Sequence, residues 1–317
     1  MVSKALVLRA PGELCLDEIT MPDGVRRARM RASGICGTDK HAITGSLRLA
    51  TPMVLGHENV GEIDGKRYTW ATILPCNRCA ACLRGMPNVC ERDRLFGLTI
   101  PDTGGWSEYT PVPDDTVLFE VPNSLDDETA VLVETMASTK ALRQVDLAGK
   151  DVLIIGSGPI GLLSAVHARA VNARTIAITG HRVQAERIGA VIDEFYEKNL
   201  PVEHLATAPD VVLDAGGNEE SLGYCIDAVK PRGVILESGC MVKGVRCDVS
   251  SLVKKELRLY TQLGYEPVDF AWAIDLVVRH AAVLNRVITH RFALEQFADA
   301  VDVLRRGAHG KVMFVPC

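Results

Sequence analysis

No stretch of this 317-residue chain comes near the roughly 18 uninterrupted apolar residues that a membrane-crossing helix needs. The opening residues, MVSKALVLRAPGEL, also lack the apolar run behind a basic start that marks a secretory signal. Positive charge is not in excess. Lys and Arg number 35 against 40 Asp and Glu, a formal net charge of −5, which disfavours nucleic acid and anionic membrane surfaces as partners. Internal repeats and low-complexity segments are lacking as well. These absences leave an ordinary globular protein, 47% hydrophobic and 24% charged, expected in the reducing cytoplasm. At about 150 residues per domain, its length suggests two domains.

Cysteine is the residue present in unexpected density. Four of the ten stand in CNRCAACLRGMPNVC, at positions 76, 79, 82 and 90. Cysteines three apart pair as disulfides only under strain, and in a reducing compartment such a cluster more often holds metal. Four thiolates at this spacing can close a tetrahedron around one zinc ion. Of the other six, Cys36 stands in GICGTDKHAITG, and 15, 225, 240, 247 and 317 read as structural or incidental.

The texture changes along the chain. Up to about residue 145, runs such as KALVLRA, VRRARMRASG and MVLGHENVGEI are apolar and β-branched, broken by Gly and Pro, and read as strands. From Lys150, strand-like DVLIIGSG, RTIAITG, PDVVLDAGG and GVILESG alternate with helical patterns, the signature of a parallel sheet covered by helices. VITHRF, LEQFADAVDVLRRG and GKVMFVP close the chain as strand, helix and strand, able to extend the second domain or return to the first.

GSGPIG, residues 156–161, follows one of those strands and opens a helix. Gly156 permits the tight turn, Gly158 the approach of a pyrophosphate, and Gly161 the packing of helix on strand; Ser157, Pro159 and Ile160 complete a dinucleotide-binding turn. The next strand ends in ITGHR without the carboxylate that accepts hydrogen bonds from the ribose of NAD. His181 and Arg182 stand there instead, suited to a 2′-phosphate, so NADP is expected over NAD. Cys36 in GICGTDKHAITG and His57 in GHENVGEI are a thiolate and an imidazole at glycine-flanked turns, candidates for a second zinc. Each alone also reads as a buried cysteine or a satisfied turn histidine.

Taken together, GICGTDKH, GHENVGEI, the cysteine lobe, GGWSEY (104–109) and GSGPIG resemble the zinc-dependent medium-chain alcohol and polyol dehydrogenases, in order and over essentially the whole chain. The resemblance implies an α/β protein with a mostly-β, GroES-like catalytic domain (1–145 and 287–317) and a Rossmann domain with a doubly wound parallel sheet (146–286). It implies two zinc ions per subunit, structural at residues 76–90 and catalytic at Cys36, His57 and Glu134, with Glu58 able to coordinate or exchange with water. Thr38 would hydrogen-bond the substrate alcohol, His41 would relay its proton, and Asp39 would orient the ligand histidine. A hydride would pass from the carbinol carbon to the nicotinamide. Glu134 and Glu58 resemble the polyol, sugar and threonine branches, so a polyol or sugar is the expected substrate. An NAD-dependent simple-alcohol or threonine-type enzyme is the alternative. The family implies a homodimer or homotetramer.

Two departures from the family's pattern stand out. The segment GEIDGKRYTWATILPC is compact, and the second domain is lean after ITGHR. Two other classes compete with an enzyme: a zinc-ribbon binding module, disfavoured by the acidic charge balance and the lack of aromatic residues interleaved in the lobe, and a catalytically silent nucleotide-binding sensor, which would have no need of Cys36, Thr38, His41 and His57 together.

Overall fold

A computed structural model describes residues 1–92, 94–198, 200–239, 244–307 and 309–316; Cys240 and Cys317 lie outside the described residues. In chain order the first segment contains β1 (Val2–Ala10), β2 (Glu13–Thr20), β3 (Arg27–Ile35), α1 (Gly37–Ile43), β4 (Met53–Val54), β5 (Glu58–Ile63), β6 (Lys66–Trp70), α2 (Ala80–Leu83), β7 (Tyr109–Pro111), β8 (Leu118–Glu120) and α3 (Asp127–Ala137). There follow β9 (Asp151–Ile155), α4 (Pro159–Ala170), β10 (Thr175–Gly180), α5 (Arg182–Ala185), β11 (Glu194–Glu197), β12 (Val211–Asp214), α6 (Glu219–Ala228), β13 (Val234–Glu237), α7 (Val249–Lys254) and β14 (Arg258–Thr261). The chain ends with α8 (Asp269–Arg279), α9 (Ala281–Leu284), β15 (Ile288–Phe292), α10 (Phe297–Arg306) and β16 (Lys311–Phe314).

Two compact units result: Met1–Glu134 with Glu266–Ala281 and Ile288–Cys317, and Thr135–Tyr265 with Ala282–Val287. These bounds differ from the expected 145/146 and 286/287. The first break falls inside α3, and α8 joins the first unit because Phe270 stacks on Phe119 with ring centroids 5.1 Å apart.

The first unit holds a three-stranded sheet, β2-β1-β4, and a seven-stranded one ordered β15-β16-β3-β5-β6-β8, with β7 also on β3. The closing strands thus return to the first unit, β16 lying antiparallel beside β3. The compact segment after β5 is a hairpin whose two turn residues, Asp64 and Gly65, take positive φ, the geometry that Asp-Gly turns favour. Helix α10 presents Ala300 and Leu304, one turn apart, to a core of Leu6, Leu8, Met53, Trp106 and Phe314. Each fully buried Leu, Met or Phe side chain here contributes about 2 kcal/mol.

The second unit is a parallel six-stranded sheet, β11-β10-β9-β12-β13-β14. β9, β12 and β13 are buried along their whole length, as strands covered on both faces must be, whereas all four residues of edge strand β14 are exposed. The expected helix over RVQAERIGA is shorter: four α-helical residues and then a 3₁₀ turn over Glu186–Ile188.

At the carboxyl end of this sheet Asp214 and Glu237 stand opposite one another on β12 and β13. Asp214 accepts from the Gly216 and Gly217 amides and the Ser221 hydroxyl, while one buried Glu237 oxygen has no donor. Burial and the adjacent Asp214 push the Glu237 carboxyl up to about 8. The folded carboxyl therefore keeps its proton at pH values where the unfolded one, near about 4.3, has lost it. Stability from this residue is complete below the unfolded value and falls as pH rises toward about 8. Glu237→Gln should abolish that decline, so that its melting temperature overtakes wild type by several degrees between acidic and mildly alkaline pH. Parallel curves would contradict it.

Candidate metal and dinucleotide sites

Strand register brings the first constellation together. β3 and β5 are antiparallel with Gly34 opposite Glu58, and β16 flanks β3 on its other side with Val312 opposite Ile35. Cys36, just past the end of β3, therefore meets His57, just before β5, and Lys311 at the start of β16. One donor atom from each of Cys36, His57 and Glu58 lies within 4.8 Å of the others, a group able to hold a metal ion.

Cys36 caps α1 at its N-terminus. Asp39 accepts from the Cys36 amide at 2.9 Å and places its other oxygen 3.3 Å from His57 Nδ1, leaving the imidazole's Nε2 for a ligand. Burial alone would depress His57; Asp39 and Cys36 outweigh it and hold the ring well above its ordinary value. A metal ion would supply the positive charge these neighbours favour. The Thr38 hydroxyl sits 3.6 Å from Cys36 Sγ. His41, on the same helix, is partly exposed, and burial with the adjacent Lys40 lowers its pKa. Glu134 on α3 is buried but outside the 4.8 Å group, although it acts electrostatically on Lys311.

Three features here were not read from the sequence. Lys311 is buried and places Nζ 2.6 Å from both Glu58 oxygens. Burial opposes its charge, yet Glu58, Cys36 and Glu134 keep its pKa raised. Gly34 lies between the two: a Cβ there would land on Glu58 Oε2, so only glycine lets that carboxylate cross β3. The third is the bracing beneath His57. Trp106 donates to the Gly34 carbonyl at 3.1 Å and fills the space a side chain at Gly56 would need; Gly104 abuts the Val54 and Leu55 carbonyls, and Gly105 abuts Asn59. The only sequence signal was glycine recurring in ASGI and GGWSEY.

The four-cysteine lobe also assembles. Cys76, Cys79, Cys82 and Cys90 place their sulfurs within 4.8 Å of one another. Cys79 caps α2, and its sulfur accepts from the Cys82 amide at 3.5 Å; Cys90 Sγ accepts from the Cys76 and Arg92 amides. The Cys82 and Glu91 amides hold the Cys79 thiol down at about 6, whereas burial and Cys79 push Cys82 up to about 12. Backbone donors aimed at sulfur suit thiolates, the form that binds zinc.

In the second unit Gly156 has φ 107°, Gly158 caps α4, and Pro159 takes the first helical position. Gly161 packs on the Gly156 carbonyl, whereas Gly158 faces open space, room for a phosphate at the helix N-terminus. Ser157 turns inward: its hydroxyl accepts from the His181 amide at 2.7 Å and occupies the space of a Cβ at Gly180. Arg182 lies 4.5 Å over the Phe195 ring and 3.4 Å from Glu197, both groups exposed. His167, without ligand spacing, is a core histidine bonded to Thr139, and burial lowers it to about 4.

Sequence profiles for known families agree with this architecture. Residues 23–123 match the alcohol dehydrogenase GroES-like domain and residues 159–279 the zinc-binding dehydrogenase domain. An L-threonine 3-dehydrogenase of Anaeromyxobacter dehalogenans is 29% identical over 98% of both chains. The L-galactonate-5-dehydrogenase of Escherichia coli K12 is 27% identical over 94% of both. A Sinorhizobium meliloti protein solved with NADP superposes over 100% of both chains, with a TM-score of 0.91 and 26% identity. With the GroES-like unit, the parallel dinucleotide-type sheet and both donor groups in place, this chain belongs to the zinc-dependent medium-chain dehydrogenase family.

Proposed function

We propose that this zinc-binding dehydrogenase oxidises the secondary alcohol of a polyol or sugar with NADP. The observation that carries the reading is the donor group of Cys36, His57 and Glu58, with Asp39 fixing the imidazole. The set of soft thiolate, imidazole and carboxylate fits zinc. Cys36 and His57 would hold the ion, with Glu134, buried on α3, as the third ligand. Zinc bound there supplies a Lewis acid that makes an alcohol more acidic. Thr38 accepts the substrate hydroxyl's hydrogen bond, and His41, partly exposed and lowered toward its neutral form, takes the proton to solvent. The ion at the four thiolates cross-links residues 76–90 and takes no part in the reaction.

The NADP preference rests on Gly180 and Arg182. Ser157 leaves no room for a carboxylate at position 180, and Arg182 is exposed at the start of α5. A 2′-phosphate would compete with Glu197 for that guanidinium. The two carboxylates Glu58 and Glu134 suit a polyol or sugar, and the likeness to L-galactonate-5-dehydrogenase supports this. The likeness to L-threonine 3-dehydrogenases favours a second reading, threonine as substrate with NAD.

Assembly follows from the edge of the parallel sheet. All of β14 is exposed, including Leu259 and Tyr260, with Leu263 close behind it in sequence. An unprotected edge strand is a template for pairing. We place the contact between copies there.

Metal analysis and initial rates should return two zinc ions per chain and turnover of polyols or sugars above simple alcohols and L-threonine. Best turnover of L-threonine with NAD would overturn the substrate and cofactor readings together, and one zinc per chain would favour a silent nucleotide-binding protein. Arg182→Ala should raise KM for NADP roughly tenfold, about 1.4 kcal/mol, and leave KM for NAD nearly unchanged; equal effects on both would remove Arg182 from the phosphate site. Replacing Leu259 and Leu263 by Lys should shift the protein to monomer in analytical ultracentrifugation, and an unchanged mass would place the interface elsewhere.

A further inference from the structure

Glu58 presents two demands that one carboxylate cannot meet at once. Its donor atom lies within 4.8 Å of the Cys36 and His57 donors, close enough to join them on a metal. Yet both of its oxygens are 2.6 Å from Lys311 Nζ, and the two side chains are 1% and 2% exposed. A buried ammonium is costly unless paired, and Glu58 supplies that pairing. The pair is built from three parts of the sheet: Glu58 opens β5, Lys311 opens β16, and Gly34 on the intervening β3 lets the carboxylate pass.

Charge counting says which demand wins. A zinc dication with the Cys36 thiolate and the Glu134 carboxylate, and neutral His57, sums to zero. Glu58 added to those ligands would make the centre an anion and take from Lys311 the partner it holds at 2.6 Å. Glu58 on Lys311 leaves both groups neutral overall. Resting on the zinc reading of this site, we propose that Lys311 is a positioning residue: it holds Glu58 off the metal and so keeps one coordination position open for the alcohol.

The expected behaviour of Lys311→Met is therefore paradoxical for a damaged site: activity falls while zinc is held more tightly. Zinc release from the full-length protein to a colorimetric chelator measures this, in the kinetic phase that Cys36→Ala abolishes. In K311M that phase should slow about tenfold or more, and the visible spectrum of the cobalt-substituted protein should change with the added oxygen ligand. The double variant K311M/E58Q, with a neutral pair, should return release and spectrum to wild type. Lys311→Arg, which keeps the charge, should resemble wild type throughout. A lysine with only a packing role predicts the reverse, faster zinc loss in K311M with no rescue by E58Q, and that result would overturn the inference. If K311M is too unstable to purify without metal, refolding in zinc decides: zinc should raise its melting temperature more than it raises that of wild type, and a smaller rise or no refolding counts against the proposal. A wild-type protein with zinc only at the four cysteines would remove the underlying site reading, which is a different failure from an unaltered release rate in K311M.

Discussion

The close approach of chain at Gly34 is the constraint on which the first unit's site depends. Three strands meet there, and a single Cβ would stop the Glu58 carboxylate from crossing to Lys311. The same backbone position accepts the Trp106 indole hydrogen bond, and Trp106 in turn fills the space beside Gly56. Cys36 and His57 are thus held by main-chain geometry on both sides, two residues past Gly34 and one past Gly56. The donor group is supported by backbone and buried aromatic surface, with Asp39 and Lys311 holding two of its side chains. Preorganisation of this kind lets a metal bind without ordering its ligands.

A comparable economy governs the parallel sheet. Gly156, Gly161 and Gly180 are needed where the first turn, helix α4 and the end of β10 press together, and Ser157 fills the remaining space. The consequence is chemical as well as steric. A strand end closed by a serine hydroxyl has no room for a carboxylate at position 180, and Arg182, just past it, is exposed. Farther along the same sheet edge, Asp214 is satisfied by three donors while its neighbour Glu237 is not, which makes Glu237 the member of the pair whose proton is retained.

Much of this was legible in the residues alone. Alternating strand and helix patterns after Lys150 specified the parallel sheet, because strands buried on both faces must be continuously apolar. The four cysteines specified one metal lobe, because thiolate ligands on a short loop need short spacings. The glycine turn was legible for the same reason: its function lies in local backbone geometry. The bounds of the two units were not, since helix α8 looks like one more layer of the second unit until Phe270 is seen stacked on Phe119.

By itself, then, the sequence determined the elements, the cysteine lobe, the dinucleotide turn and the candidacy of Cys36 and His57, all features carried by neighbours within a few residues; Glu58 and Glu134 became candidates only through the resemblance to the family. Only the tertiary structure decided what Glu58 is doing. Its partner Lys311 is 253 residues away, in a terminal strand whose return to β3 no local pattern specifies. A charge pair across a sheet leaves no periodicity and no spacing in the chain; it exists only once strand order and register have been set by burial of the strands around it.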